Sequence, residues 1–230
     1  MKTSLKLTVV LAGIHIMCPG ARAALLYSWT GSQPIPDNSG SGVAFNFTLA
    51  GTGAAITDVQ VDLSISGGWN GDLYGYLTHG PGVAVLLNRV GVGQATPGAS
   101  PDGYGDSGFA ITLSSAGAGN VHDYANHLPA IVNGRLTGTW QPDGREVPPG
   151  SPRATFDAPG TWDFSTFENL NPNGDWVLFL ADVSPLSLST LDGFTVRVTD
   201  VPEPSATAAA IVLAIASFAF HCGRRCARVN

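Results

Sequence analysis

The chain has 230 residues, of which only 12% are charged, and its formal net charge is −6. Both lysines and four of the nine arginines lie near the two ends, so residues 24–200 keep five arginines against fourteen aspartates and two glutamates, a formal charge of −11. A surface this acidic repels phosphate backbones and anionic membranes, which excludes nucleic-acid binding, and it attracts cations, Ca²⁺ above all, or basic partners.

Residues 1–23 have the pattern of a secretory signal peptide: a positive start, a short apolar stretch and a small-x-small cleavage site. These features fall on Lys2, Lys6, residues 7–17, Ala21 and Ala23. A buried N-terminal helix is the alternative, but it does not explain why the three features come in this order. We predict cleavage by signal peptidase, export of the chain and a mature start at residue 24.

Cysteines are missing from the body of the chain, residues 24–200. Cys18 belongs to the predicted signal peptide, and Cys222 and Cys226 lie near the C-terminus. The body therefore forms no disulfide, which an exported domain can dispense with when it is long enough to bury its own core.

Alternating apolar and polar residues dominate the body, and no amphipathic helix is evident. In residues 59–65 the apolar side chains of Val59, Val61, Leu63 and Ile65 alternate with polar side chains, which predicts a strand with one buried face. Residues 194–198 repeat the pattern. Further strands are predicted at residues 43–49, 73–77, 83–90, 109–113 and 176–180. Short strands separated by Gly, Pro and Asp turns predict one all-β domain, an antiparallel β-sandwich of the jelly-roll, galactose-binding-like form.

Two Gly-, Pro- and Ser-rich stretches resist this interpretation. They are residues 91–108 and 141–161. We expect both to be long surface loops.

Several short blocks, in the correct order, resemble the P/Homo B domain. They are residues 56–59, 71–73, 86–89, 173–178 and 191–194. This domain is the β-sandwich that follows the catalytic domain in kexin-type and furin-type proprotein convertases, and the resemblance implies the same fold here. Residues 120–124 and 136–144 depart from the convertase pattern and look like a variant of PEP-CTERM proteins, so no convertase role is carried over.

Family labels for such domains imply serine endopeptidase activity, but the residues for it are not evident here. A triad needs a serine next to a histidine that a carboxylate holds. The body has His79, His122 and His127, with Asp123 next to His122, but no Gly-x-Ser-x-Gly elbow follows a strand. We expect loop and surface histidines, no catalytic residues and no enzyme activity.

Most carboxylates are aspartates beside Gly, Pro or Asn. Representative positions are Asp72, Asp102, Asp106, Asp143 and Asp192. Capping of turns is the main interpretation. Calcium coordination by some of them stays open, with turn carbonyls completing the shell, and a catalytic pair is the smallest alternative. No cofactor and no other metal are predicted.

The body contains five tryptophans, and aromatic faces bind sugars. Trp176 lies on a predicted strand and is expected in the core, whereas Trp69, Trp140 and Trp162 lie near glycine-rich turns. These three either anchor loops or offer a carbohydrate site.

The C-terminal segment, residues 201–228, resembles the PEP-CTERM sorting signal of bacterial envelope proteins. Its motif is Pro202-Glu203-Pro204, followed by an apolar run at residues 206–220 and by Arg224, Arg225 and Arg228. The prolines separate the tail from the body. The 15-residue run would form a single apolar transmembrane helix about 22 Å long, whereas a helix of ~20 residues spans a bilayer comfortably. The arginines keep the far end in the cytoplasm. A GPI signal would end in the apolar stretch, which disfavours that alternative.

Together these patterns predict an exported, non-enzymatic protein of the bacterial cell surface or extracellular matrix. It would start as a membrane-anchored precursor and be processed by an exosortase, as the tail's resemblance implies, with exopolysaccharide or other matrix components as partners. Two alternatives stay open: a carbohydrate-binding jelly-roll module, and an accessory domain for a serine-type endopeptidase.

Overall fold

The structure is a computed structural model and describes residues 23–51, 53–93 and 101–202. These residues form an all-β sandwich of two sheets, as predicted. The strands are β1 Ala23–Ile35, β2 Ser39–Leu49, β3 Gly53–Gly67, β4 Leu73–His79, β5 Gly82–Asn88, β6 Gly108–Ser114, β7 Ile131–Val132, β8 Arg135–Trp140, β9 Gly174–Asp182 and β10 Ser189–Pro202. Short 3₁₀ turns lie at Asn70–Asp72, Val121–His127, Arg153–Asp157 and Phe164–Phe167.

One sheet has six strands in the order β1-β10-β3-β6-β8-β7, and the other has four in the order β2-β9-β4-β5. Every pair is antiparallel except β6 and β8, which run parallel, so the purely antiparallel prediction was wrong at this place. The chain between these two strands is too long for a hairpin and crosses over through the 121–127 turn, which a parallel pair requires.

The alternation in β3 separates the core from the surface. Val59, Val61, Leu63 and Ile65 are at most 1% exposed, whereas the polar residues between them face outward. β5 is different, because five of its seven residues in a row are buried. It is the edge strand of the small sheet, and residues 143–162 cover it through backbone hydrogen bonds to Val85 and Leu86, which protects an edge that would otherwise be open.

β1 was not predicted as a strand. Leu25, Tyr27 and Trp29 are half-buried and alternate with exposed residues such as Leu26, which is 59% exposed. The C-terminal half of β1 is polar and contains Pro34, so the alternation does not continue through the whole strand. The strand forms because β10 offers it a partner along eleven residue pairs.

An aromatic cluster joins the two sheets. Phe194 of β10 packs between Tyr27 and Trp29 of β1 and Phe45 and Phe47 of β2. The rings of Tyr27 and Phe47 are stacked with centroids 4.2 Å apart, and those of Phe45 and Phe194 meet edge to face at 5.2 Å. Such contacts add to the burial of apolar area.

The two predicted surface loops are partly buried. In the described part of residues 91–108, Val92 and Tyr104 belong to the core, and Tyr104 packs on Tyr124 at 4.4 Å. In residues 141–161, Arg145 and Phe156 are at most 6% exposed. The prediction was wrong because these stretches cover β5 and the 121–127 turn, so their few large side chains complete the core.

The described chain begins and ends on neighbouring strands. Ala23 lies opposite Asp200, and Pro202 is the last residue of β10, opposite Gly53. The predicted sites at Ala21, Glu203, Pro204, Arg224, Arg225 and Arg228, and the apolar run at residues 206–220, lie outside the described residues. Among the helical turns of the described residues, none has the length and apolar character to cross a bilayer.

We expect Phe194→Ala to lower the free energy of unfolding by about 3–5 kcal/mol, because it opens a cavity in the aromatic cluster. Leu26→Ala, on the exposed side of the neighbouring strand, should change it by less than about 0.5 kcal/mol. Urea unfolding followed by tryptophan fluorescence measures both. Equal stability of the two variants would show that the cluster does not hold the sheets together.

Candidate functional site

An open groove of about 890 Å³ crosses the outer face of the six-stranded sheet. Its floor consists of the outward-facing side chains of β3, β6 and β10, because the alternate residues of these strands fill the core. Many of the lining side chains are polar or small: Thr30, Gln60, Asp62, Ser64, Ala110, Thr112, Thr139, Asp192, Thr195 and Arg197. Four large apolar residues also line the groove: Trp29, Leu63, Ile111 and Phe194.

Two ion pairs fix the polar groups of the groove. Arg197 Nη2 donates a hydrogen bond to Asp62 Oδ2 at 2.5 Å, and the Thr112 hydroxyl donates to Asp62 Oδ1 at 2.8 Å. The bond to Asp62 raises the pKa of Arg197, so this guanidinium stays charged. In the second ion pair, Arg135 Nη1 lies 3.5 Å from Asp192 Oδ2.

This arrangement presents donors and acceptors at fixed spacings. Along one strand, outward-facing residues are about 6.6 Å apart, and neighbouring strands are about 4.8 Å apart. Donors and acceptors held on a β-sheet in this way suit an extended ligand that is rich in hydroxyl groups, because the protein side chains lose little conformational freedom on binding. The sequence showed the charged residues on outward strand positions but not their pairing, since Asp62 and Arg197 are distant in the chain.

One tryptophan, Trp29, lines this groove, and its half-buried ring packs on Phe45 with centroids 4.7 Å apart. Trp176 is fully buried, as predicted, and Trp140 is 4% exposed with its indole N–H donating to the Thr137 carbonyl at 2.9 Å. Trp140 is therefore an anchor and not a sugar site. Trp69 and Trp162 are 44% and 42% exposed, but neither lines the groove.

A second polar cluster lies inside the protein, between β5 and residues 141–161. His122 Nδ1 is 2.7 Å from Asp143 Oδ2, and both side chains are fully buried. Arg145 Nη1 lies 3.2 Å from Asp143 Oδ1, and the Asn88 backbone N–H donates to Asp143 Oδ2 at 3.0 Å. Each carboxylate oxygen thus has partners, as a buried charge requires.

The prediction of a surface histidine was wrong for His122. The 121–127 turn folds back on the end of β5, where the Gly91 N–H donates to the His122 carbonyl at 2.8 Å. The ring nitrogen Nε2 lies 2.8 Å from the Val92 carbonyl oxygen, which only accepts, so Nε2 must donate. A triad histidine needs Nε2 free to take the proton of a serine. His122 does not offer it.

The other two histidines differ from each other. His79 is 7% exposed and stacks on Trp176, with ring centroids 4.1 Å apart, so the surface prediction was wrong here too. Its ring nitrogens face the carbonyl oxygens of Asp175 and Asn171. His127 has a side chain 35% exposed, 3.4 Å from Asp123, as expected for a surface histidine.

The five aspartates singled out from the sequence are scattered. Asp143 holds the buried cluster, Asp192 lies in the groove, and Asp106 accepts the Tyr124 hydroxyl at 2.6 Å. Asp72 is buried at one end of the sandwich, and Asp102 is exposed. In the described part of the chain, no three His, Cys, Asp or Glu side chains are grouped closely enough to hold a metal ion by themselves.

Comparison with known proteins does not assign this chain to a family. No protein-family model matches the chain, and no curated protein matches it. The similar solved structures include the serine protease of Aeromonas sobria in complex with its chaperone, with 13% identity, and the same protease alone, with 15% identity. The TM-score is 0.40 for both. The matches cover 79% and 78% of this chain and 27% of each of those chains. At this level of similarity the two structures carry no argument about the fold family or the function of this chain.

We expect Asp143→Asn to lower the free energy of unfolding by about 3–5 kcal/mol, since it leaves the buried Arg145 without its counter-charge. Asp157→Asn removes an exposed carboxylate and serves as the matched control, with a change below about 0.5 kcal/mol. Thermal and urea unfolding measure both. If Asp143→Asn is as stable as the control, the cluster does not hold residues 141–161 on the body.

Proposed function

We propose that this chain is an exported, non-enzymatic protein of the cell surface or extracellular matrix that binds a polysaccharide along the groove of its six-stranded sheet. The observation that carries the proposal is the groove itself, with its row of hydroxyl, amide and ion-paired side chains on a rigid sheet.

The chemistry of the groove favours a neutral sugar chain. Sugar hydroxyls both donate and accept, so they can exchange hydrogen bonds with the carboxylate of Asp62 and the guanidinium of Arg197 at the same time. Residues 24–200 carry a formal charge of −11, which repels anionic polysaccharides. The groove is open, as a site that takes the middle of a long chain must be.

Export and processing belong to the same proposal. Residues 1–23 would direct the chain out of the cytoplasm, and residues 206–220 would hold the precursor at the membrane until an exosortase acts on the Pro202-Glu203-Pro204 motif. Support comes from the order of these segments in the sequence and from the short basic end, which retains that side in the cytoplasm.

The proposal assigns no catalysis to the chain. Support comes from His122, whose ring is fully buried and whose two nitrogens already face Asp143 and the Val92 carbonyl. An accessory domain for a serine-type endopeptidase is the competing class, and it would bind a protein instead of a sugar.

We expect Asp62→Asn combined with Arg197→Gln to weaken polysaccharide binding at least about tenfold, because charge-assisted hydrogen bonds contribute about 1.5–3 kcal/mol each. Affinity electrophoresis in soluble neutral polysaccharides, and in the exopolysaccharide of the producing cells, measures the binding. Asp157→Asn, which removes an exposed carboxylate outside the groove, is the control. If the wild-type protein is not retarded in any gel and co-purifies instead with an endopeptidase, the accessory-domain class is correct.

For the tail, Pro202→Ala with Pro204→Ala should leave uncleaved precursor in the membrane fraction, since the motif would no longer stay extended and accessible. Cell fractionation and mass spectrometry of the mature C-terminus follow the processing. Arg153→Ala, outside the motif in the sequence, is the control. A mature protein of normal size and location in the double variant would contradict exosortase processing.

A further inference from the structure

One carboxylate on the inward face of β10 has no partner. The preceding inward side chains, Phe194, Val196 and Val198, are apolar and at most 3% exposed. The next inward position is Asp200, which is 0% exposed, and neither oxygen of its carboxylate has a hydrogen-bond donor among the described residues. Buried carboxylate oxygens are nearly always satisfied in folded proteins, so Asp200 indicates a partner that this arrangement lacks.

The backbone of β3 holds this carboxylate closely. Gly53 lies directly against Asp200 Oδ2, and a Cβ atom at position 53 would overlap with that oxygen. A side chain there would therefore displace the carboxylate. The register of β10 against β3 also shifts between Thr199 and Asp200. These two features fix the carboxylate at the end of the sandwich where β1 begins and β10 ends.

No side-chain cation of residues 24–200 is available to Asp200. Three of the five arginines in this range form ion pairs with other aspartates. Arg89 donates to the Gly71 carbonyl and to Ser184, and Arg153 is exposed in its turn. No lysine follows Lys6 in the sequence. The other arginines belong to the predicted signal peptide or lie beyond the apolar run, on the cytoplasmic side in the proposed topology.

The predicted cleavage site lies opposite this carboxylate. In the ladder of β1 and β10, Ala23 pairs with Asp200 and Ala24 pairs with Thr199. Opposite Cα atoms of an antiparallel pair are about 4.5–5.5 Å apart, and a backbone nitrogen lies about 1.5 Å from its own Cα, toward the preceding residue. The nitrogen of Ala24 is therefore within roughly 6 Å of the Asp200 Cα.

We propose that cleavage after Ala23 supplies the missing partner of Asp200, namely the α-ammonium group of Ala24. The inference rests on the signal-peptide processing proposed above. Hydrolysis adds one water across the Ala23–Ala24 peptide bond, so that Ala23 leaves as a carboxylate and the nitrogen of Ala24 becomes an ammonium. In the structure this bond is intact, and its nitrogen belongs to a planar, uncharged amide. Once cleaved, the first residue turns freely, and its three N–H donors can reach the carboxylate.

Maturation thereby changes the end of the sandwich from which the tail leaves. In the precursor the carboxylate of Asp200 destabilises the fold, because a buried charge without a partner is costly. In the mature chain the same carboxylate pairs with the first residue of β1, which ties the start of β1 to the end of β10. The domain reaches its full stability only after signal peptidase has acted.

The mature chain has a single primary amine, which makes a direct test possible. Both lysines, Lys2 and Lys6, are removed with the signal peptide, so amine reagents modify only the α-amine of Ala24. Acetylation converts this ammonium into a neutral amide. Reductive dimethylation keeps the positive charge and one N–H donor, and it serves as the matched control.

The experiment uses the exported protein, whose first residue is established by mass spectrometry. It is modified in urea and refolded, with unmodified protein carried through the same steps. At pH 7 we expect acetylation to lower the melting temperature by at least about 5 °C, because it leaves the buried carboxylate of Asp200 unpaired. Dimethylation should lower it by less than about 2 °C. Asp200→Asn should abolish the effect of acetylation, and Asp157→Asn should keep it.

A second readout needs no refolding. The rate at which the α-amine reacts with an acetylating reagent at pH 7.5 is measured in the folded protein and in urea. We expect the folded wild type to react at least about tenfold more slowly than the unfolded chain, since the ion pair must open first. The folded Asp200→Asn variant should react close to the unfolded rate.

Four results would overturn the proposal: no effect of acetylation, an equal effect of dimethylation, an equal effect of acetylation in Asp200→Asn, or an α-amine that is as reactive in the folded wild type as in urea. A mature chain that begins at another residue would overturn the proposed cleavage after Ala23 as well, and the measured mass identifies that case. Polysaccharide binding in the groove is measured separately from all of these.

Discussion

The strand β10 is the element on which the rest of the molecule depends. It pairs with β1 on one side and with β3 on the other, and its 14 residues run the length of the larger sheet. Its inward side chains, among them Phe194, join the aromatic cluster, and its outward side chains, among them Arg197, line the groove. Core and candidate site are therefore two faces of one strand, and a shift of its register by one residue would exchange them.

Buried charge is handled in two different ways in this protein. At Asp143 the carboxylate has Arg145, His122 and a backbone N–H as partners, so the cluster stabilises residues 141–161 without any ligand. Asp182 is equally buried, but its hydrogen-bond donors are neutral: Oδ2 accepts from the Ser189 hydroxyl at 3.0 Å and Oδ1 from the Ser184 N–H at 3.4 Å. Burial accordingly raises the pKa of Asp182 to about 6.

Local pattern predicted seven of the ten strands, but not β1, β7 or β8, and it predicted the tertiary contacts poorly. The alternation in β3 predicted its buried face, because that signal lies within a few neighbouring residues. The partners of Asp62 and His122 could not be predicted, since Arg197 and Asp143 are brought to them only by the sheet register and by loop packing. The burial of Trp140 and His79 could not be predicted for the same reason. The turns beside these residues favour exposure, but packing against the body buries both.

The two ends of β10 lie far apart. Its 14 residues span up to about 45 Å, from Ser189, whose hydroxyl donates to Asp182, to Pro202. This length is several Debye lengths of about 8–10 Å at physiological ionic strength. Exposed charges at one end of the strand are therefore screened from those at the other, and the two ends of the sandwich present electrostatically independent surfaces.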